Sequence, residues 1–274
     1  MTDSAGSPFR FFSLHVTRTR RISPSLVRVS FTGDDLRFFF SAGYDQSLSL
    51  FVPHPGQREP QVPVELGDGW WQGWRDLPDD VRAVMRSYTL RELRREPDSG
   101  PAEIDVDFVL HTPAGPASAW ADRAAPGDRV LLLGPAVADN RAIRFRAPDD
   151  ADLIVLWGDA TALPAVAAIL EALPRDRRVR AWIEIPDVAD VIQLAAPKDT
   201  EINWLVGEDS LENLRAAQLP PAELPYVWIA GESGSVKALR RHFVQERGFD
   251  RRRVTFVGYW RRGMSEEELR AARE

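Results

Sequence analysis

Cysteine is absent from the chain. With it go disulfides, thiolate zinc sites, cysteine-ligated iron–sulfur clusters and cysteine nucleophiles. The absence fits a reducing compartment. Histidine is scarce: His15, His54, His111 and His242 are scattered and show no metal-ligand spacing. Basic charge is not in excess. A formal net charge of −6 and an isoelectric point near 5.4 argue against a nucleic-acid partner, because such domains are usually basic. No apolar run is long enough for a membrane helix, which takes about 20 residues. The most apolar stretch, 153–170, is interrupted by Gly158, Asp159 and Pro164. The N-terminal MTDSAGSPFRFF lacks the long apolar core of a signal peptide. A soluble cytoplasmic protein with no membrane span is expected. The G-x-G-x-x-G fingerprint is also missing, so no single motif establishes dinucleotide binding.

What is present divides the chain in two. A length of 274 residues with 44% hydrophobic composition suits two domains. In the first half, short alternating or apolar runs at 11–18, 26–31, 46–52, 86–91, 103–110 and 129–133 are separated by turn residues. Within 103–110, Ile104, Val106, Phe108 and Leu110 read as core-facing, and Asp105 and Asp107 as solvent-facing. Residues 54–69 are rich in Pro and Gly and read as an excursion. Trp70, Trp71, Trp74 and Leu77 then recur at helical spacing, which predicts a short helix clamped on the barrel rather than a ligand platform. Short strands at hairpin-like spacing predict a small antiparallel β-barrel over residues 1–147.

The polar stretch 136–150 holds the expected boundary. From 148 to 274, strands at 153–157, 179–185, 202–206, 226–230 and 253–259 alternate with helices at 163–173, 210–219 and 235–247. Ser210 suits an N-cap, and Ser265 with Glu268 a capping box for a terminal helix. Strands that are apolar throughout are buried on both faces, which predicts a three-layer αβα domain with a mainly parallel sheet.

Several stretches carry chemistry. Arg86-Ser87-Tyr88-Thr89-Leu90-Arg91 has the form R-x-Y-T-x-R. In an extended segment Arg86 and Tyr88 share one face, with Thr89 and Arg91 mostly on the other. A guanidinium forks onto phosphate oxygens, and a phenol ring can lie on a flat heterocycle. The pair therefore suits a ligand with a phosphate and a flat apolar part. An edge strand with solvated charges is the plain alternative. Further on, Gly115-Pro116-Ala117-Ser118 opens a helix whose first-turn N–H groups can bind an anion. In the second half, ligands are expected at the carboxyl ends of the strands. The loops 158–164, 231–235 and 258–263 sit there. Asp159 and Glu232 read either as acceptors for a ribose or carboxamide, or as loop charges. Tyr259-Trp260 either stacks on a flat ring or closes the domain interface.

Taken together with 105–111 (DVDFVLH), these stretches resemble the siderophore-interacting proteins. These are flavin-dependent ferric-siderophore reductases of the vibriobactin-utilisation type, within the ferredoxin-reductase superfamily. The resemblance spans residues 10–263. It implies a flavin-binding antiparallel Greek-key β-barrel followed by an NAD(P)H-binding-like α/β domain. It implies FAD, with Arg86, Ser87, Tyr88, Thr89 and Arg91 on the cofactor and Trp260 close to it. His111, Ala114, Gly115, Pro116, Ala117 and Ser118 would surround the ribityl–pyrophosphate part. NADH or NADPH would be the electron donor, met by Gly158, Asp159, Thr161, Gly231 and Glu232. A ferric siderophore or other ferric chelate would lie near Arg261, and no resident metal site is implied. A monomer is expected. A general NAD(P)H:flavin or quinone oxidoreductase, and a siderophore-binding protein without turnover, remain alternatives.

The chain departs from family habit in three places. Ser47 and Ser49 stand where relatives often carry a lysine, Ala136 where they can carry a basic residue, and Asp159-Ala160 where Asp-Glu is frequent. Glu184, with Asp187 just beyond, ends the second strand of the second half. An acid there favours a free ribose 2′-hydroxyl, hence NADH.

Overall fold

The structure, a computed structural model, describes residues 7–95, 102–207 and 210–264 together with Glu268. It divides into two compact units, Met1–Ala142 and Ile143–Glu274.

In the first unit the strands are β1 (Phe9–Ser23), β2 (Leu26–Thr32), β3 (Ser47–Val52), β4 (Val84–Thr89), β5 (Glu92–Arg94), β6 (Glu103–Val109) and β7 (Arg129–Pro135). They form one antiparallel seven-stranded sheet in the order β4-β3-β7-β1-β2-β6-β5, a half-barrel where the alternation predicts a barrel. Phe12, Val29, Phe31, Ile104, Val106 and Phe108 fill its inner face. Helix α1 (Trp70–Asp76) lies on the other face. Its Trp74 is buried with Phe51 and Met85, and the indole donates to the Ala83 carbonyl at 3.1 Å. The tryptophan stripe is therefore a clamp, as its spacing predicts. Helix α2 (Pro116–Arg123) packs on the inner face through Trp120.

Two local expectations are corrected. The run 86–91 is not one strand. β4 ends at Thr89, the Leu90 N–H donates to the Gln46 carbonyl, and the Arg91 N–H donates to the Asp105 carbonyl. Leu90 turns into the core, and the chain crosses from the β3 side to the β6 side. The second correction concerns Asp105 and Asp107. Both are buried, at 2% and 5% exposure. Alternation does put them on the outer face, but arginines cover that face. The β2–β6 register sets Arg28 opposite Asp107 and Ser30 opposite Asp105. Arg28 forks onto Asp107 at 2.7 and 2.8 Å. Arg94 forks onto Asp105 at 2.6 and 2.7 Å, and the Ser30 hydroxyl adds a bond of 2.6 Å. Arg18 holds Glu103 in the same layer.

The second unit contains β8 (Ile154–Gly158), α3 (Leu163–Ala172), β9 (Arg178–Ile185), β10 (Asp199–Val206), α4 (Ser210–Ala216), β11 (Tyr226–Glu232), α5 (Ser233–Arg241) and β12 (Val254–Trp260). All its strands are parallel, in the order β10-β9-β8-β11-β12. Val155 and Trp157 of β8 face Leu214 of α4 and Val236 and Leu239 of α5. Gly158 faces Ala162 and Val166 on the α3 side. Burial on both faces explains why β8 is apolar throughout. Residues 208 and 209, which would precede the cap expected at Ser210, lie outside the described residues. α4 stops at Ala216, short of the expected 219. The capping box at Ser265 lies outside the described residues.

The charged layer makes stability depend on pH. Burial raises the Asp105 carboxyl, but hydrogen bonds from Arg94 and Ser30 and the charges of Arg94 and Arg28 outweigh it and hold it below its ordinary value. Burial likewise raises Glu103, and bonds from Arg18 and Thr17 bring it below its ordinary value. A carboxyl depressed in the folded state stabilises above its unfolded pKa, about 4. That stability is lost as pH falls through the folded value. The melting temperature should therefore drop as pH falls below about 4. Asp105→Asn should cost about 3 kcal/mol at neutral pH, the low end for a buried pair because Arg94 keeps 26% of its side chain exposed, and should flatten the acid-side drop. Thermal unfolding of both proteins across the acid range checks this, and an unchanged slope in the variant would sink it.

Candidate functional site

In the first unit a chain of rings brings the expected residues together. Tyr88 of β4 lies against Phe108 of β6 at 4.4 Å between centroids. Phe108 meets Trp120 of α2 at 5.9 Å, and Trp120 stacks on Phe31 with planes 8° apart. The start of α2 is thereby fixed beside the end of β4. Between them, Leu110 donates its N–H to the Ser25 carbonyl, and His111 is exposed with Nδ1 2.6 Å from the Pro113 carbonyl oxygen. Gly115 occupies the N-cap position, and no side chain caps the first turn. The first helical bond runs from the Ala119 N–H to the Gly115 carbonyl. Helix geometry thus leaves the Ala117 and Ser118 N–H groups without intrahelical acceptors. The His111 ring lies 3.6 Å from where a Cβ on Gly115 would be.

Of R-x-Y-T-x-R, Arg86 and Tyr88 share one face of β4, both partly buried. Ser87 is exposed and Thr89 is buried on the opposite face. Arg91 belongs to the charged layer, its Nε 3.9 Å from Asp107 and its side chain only 12% exposed. A cation, an aromatic face and an uncapped helix start form the donor set that a flat ring carrying phosphates requires. The residues present therefore fit FAD. The sequence left two contributors unmarked: Phe108, which read only as core, and Trp120, which links that core to the helix start.

In the second unit, Gly158-Asp159 and Gly231-Glu232 end the adjacent strands β8 and β11. There the strand order reverses direction, which makes the loops a switch-point crevice. Asp159 is 7% exposed and bonded on both oxygens. Its Oδ1 accepts from the Thr161 N–H at 2.9 Å and the Thr161 hydroxyl at 2.5 Å. Its Oδ2 accepts from the Glu232 N–H at 2.8 Å and the Trp260 indole N–H at 2.7 Å. Glu232 is the N-cap of α5, accepting from the N–H groups of Gly234 and Ser235. The acceptor positions of Asp159 are thus filled inside the unit, and Oε2 of Glu232 is committed to the start of α5. Arg261 follows β12 and is exposed.

Comparison with known proteins decides the family. Residues 15–139 match the siderophore-interacting FAD-binding domain, and residues 151–263 match the siderophore-interacting protein domain. The chain belongs to the siderophore-interacting protein family. Among its relatives is the ferric vibriobactin reductase ViuB of Vibrio cholerae serotype O1, 30% identical over 93% of this chain and 90% of ViuB. The NADPH-dependent ferric-chelate reductase of Escherichia coli K12 is 32% identical over 92% of this chain and 93% of that protein. Among solved structures, a siderophore utilization protein from T. fusca superposes with a TM-score of 0.77 at 33% identity, covering 94% of this chain and 95% of that one. Family membership makes the first unit a FAD-binding domain, in keeping with the donor set found there.

Gly231 yields a direct test of the switch-point geometry. Its φ is +141°, and a Cβ there would stand 2.5 Å from Asp159 Oδ2. Gly231→Ala should destabilise the protein by about 1–3 kcal/mol from backbone strain and displacement of Asp159. Denaturant unfolding checks it, and an unchanged midpoint would show that the loop yields freely.

Proposed function

We propose that the chain is a cytoplasmic FAD-dependent reductase that takes electrons from NAD(P)H and reduces ferric iron held by a siderophore or similar chelate, releasing Fe(II). The carrying observation is the placement of Arg86 and Tyr88 on one face of β4, fixed beside the uncapped start of α2. FAD, when bound, matches a two-electron hydride donor to a one-electron ferric acceptor. The chain's own residues bind and orient. Arg86 and the first turn of α2 hold phosphate oxygens, and Tyr88 lies along the flat ring. The crevice at Gly158 and Gly231 receives the nicotinamide nucleotide. The iron is substrate, so its chelate supplies the ligands. Reduction weakens its hold on hard oxygen donors, and one NAD(P)H supplies two ferric ions.

The donor's identity rests on opposing signals. The E. coli relative is named for NADPH, whereas the acids ending the second strand favour NADH. Asp187, one of them, accepts the Ala189 N–H of its own turn at 2.8 Å, so its carboxylate is partly committed. We therefore keep both nucleotides, to be separated by stopped-flow flavin reduction. On the acceptor side, Ser47 donates its hydroxyl to the Ala142 carbonyl at 3.0 Å, a structural tie that a lysine would not make. In the second unit, the exposed Arg261 supplies attraction for an anionic chelate.

Two expectations follow from these roles. Arg86→Ala should weaken FAD binding about ten- to a hundredfold, the loss of a charge-assisted phosphate contact, while the far-ultraviolet spectrum is kept. FAD titration of the apoprotein measures it, and wild-type affinity would remove Arg86 from the site. Arg261→Ala should raise KM for an anionic ferric chelate at low salt, with the difference shrinking as salt screens the charge. If anionic and neutral chelates keep wild-type KM, a quinone or free flavin becomes the better acceptor. The reading as a whole is tested by adding NADH or NADPH anaerobically to the yellow holoprotein, then a ferric chelate with a chromogenic Fe(II) trap. A protein that binds FAD but is bleached by neither nucleotide overturns it.

A further inference from the structure

We propose that Asp159 is a positioning residue that holds the Trp260 indole in one plane, as a platform for the flat ring of the nicotinamide nucleotide, in place of the FAD contact that the family resemblance implies for Trp260; this rests on the nucleotide role proposed for the crevice. Asp159 itself has no capacity left for a ligand. A carboxylate offers about four acceptor positions, and four protein donors reach this one at 2.5–2.9 Å. They come from the loop after β8, from the end of β11 and from the end of β12. One side chain therefore ties together all three segments that line the switch point.

The surroundings are shaped to deliver that bond. The β11–β12 pairing shifts register between Gly231 and Glu232, which pairs Glu232 with Trp260. Such a bulge re-aims a side chain next to a site. Gly231 lacks a side chain where Asp159 Oδ2 must sit, and Gly258 lacks one where Ser233 Oγ must sit. That Ser233 hydroxyl donates to the Trp260 carbonyl at 2.8 Å. Trp260 is thus pinned through its backbone by the start of α5 and through its indole by the loop after β8.

The held ring is also the accessible one. Among the described residues Trp260 is the one tryptophan that is exposed, at 37%, while the other eight are buried or half-buried. Exposing an indole that is fixed by a charge-assisted bond makes sense as pre-organisation. A free indole would lose rotamer freedom when a ring stacked on it, and this one has already lost it. An indole face takes a flat heterocycle favourably.

The test is a double-mutant cycle on the FAD-loaded protein, using Asp159→Asn, Trp260→Phe and the pair. Asparagine can accept on its oxygen, but its amide N–H groups would face the N–H donors of Glu232 and Trp260. Asp159→Asn and Trp260→Phe should each raise the nicotinamide-nucleotide KM about tenfold, the size of one lost interaction, with kcat changed far less. The pair should be no worse than Trp260→Phe alone, because both changes remove the same platform. The tryptophan emission removed by Trp260→Phe should differ between the wild-type and Asp159→Asn backgrounds, a signature that a purely structural role would not give. If Asp159→Asn does not fold, Ser233→Ala, which frees the Trp260 backbone, should produce the same selective rise. Additive losses would mean that Asp159 meets the nucleotide itself and would overturn the inference, as would an unchanged KM in Trp260→Phe. If neither nucleotide reduces the wild-type flavin, the donor reading fails first; a wild type that is reduced, with Trp260→Phe unaffected, refutes the platform alone.

Discussion

A carboxylate taken out of water is costly unless its lone pairs are met by donors or a cation. Both units are arranged around that requirement. In the first, Asp105 and Asp107 stand on the outer face of the sheet and draw Arg28 and Arg94 over it. The arginines come from β2 and β5, so the charge match ties the edge strand to its neighbours. In the second, Asp159 draws donors from its own loop and from two strand ends instead of cations. One arrangement braces a sheet and the other fixes a crevice, yet the same desolvation cost enforces both.

The two candidate sites divide the work of recognition differently. The flavin side relies on rigid packing. Tyr88, Phe108, Trp120 and Phe31 form a continuous aromatic column from strand to helix. An uncapped helix start is useful only if it is held still, and the column does that. The crevice proposed for the nucleotide has no glycine-rich fingerprint. Its glycines at 158, 231 and 258 instead make room for protein atoms: Ala162, Asp159 and Ser233. The space that a fingerprint glycine would give to a pyrophosphate is here filled by the protein's own braces.

Much of this was legible in the residues, and the failures share a cause. Alternating or apolar runs placed every strand of the first sheet except β5, and apolar runs placed those of the second, with β8 announcing a strand covered on both faces. The tryptophan spacing located α1. Periodicity says which face a residue is on, but not what else lies on that face. Asp105 and Asp107 therefore read as solvated, because their arginines come from Arg28 and Arg94 on other strands. Asp159 read as a loop charge or ligand acceptor for the same reason, since the Glu232 N–H and the Trp260 indole reach it from distant strands; Glu232 instead caps its own helix through the nearby N–H groups of Gly234 and Ser235. Leu90 broke the run 86–91, since its burial was set by the curl of the sheet rather than by its neighbours in sequence.

The strand order also governs how the chain can fold as it is made. In the half-barrel, β1 pairs with β7, Phe9 opposite Pro135. The sheet cannot be completed until nearly the whole unit has left the ribosome, and loop closure over so long a separation is slow. Until then β1 is held only by its hairpin with β2, and its other edge stays open. The second unit has the opposite habit. Its first strand, β8, is central, and β9 and β10 add outward in order before β11 and β12 extend the other side. The first unit must therefore wait for its own last strand, whereas the second can grow from its first.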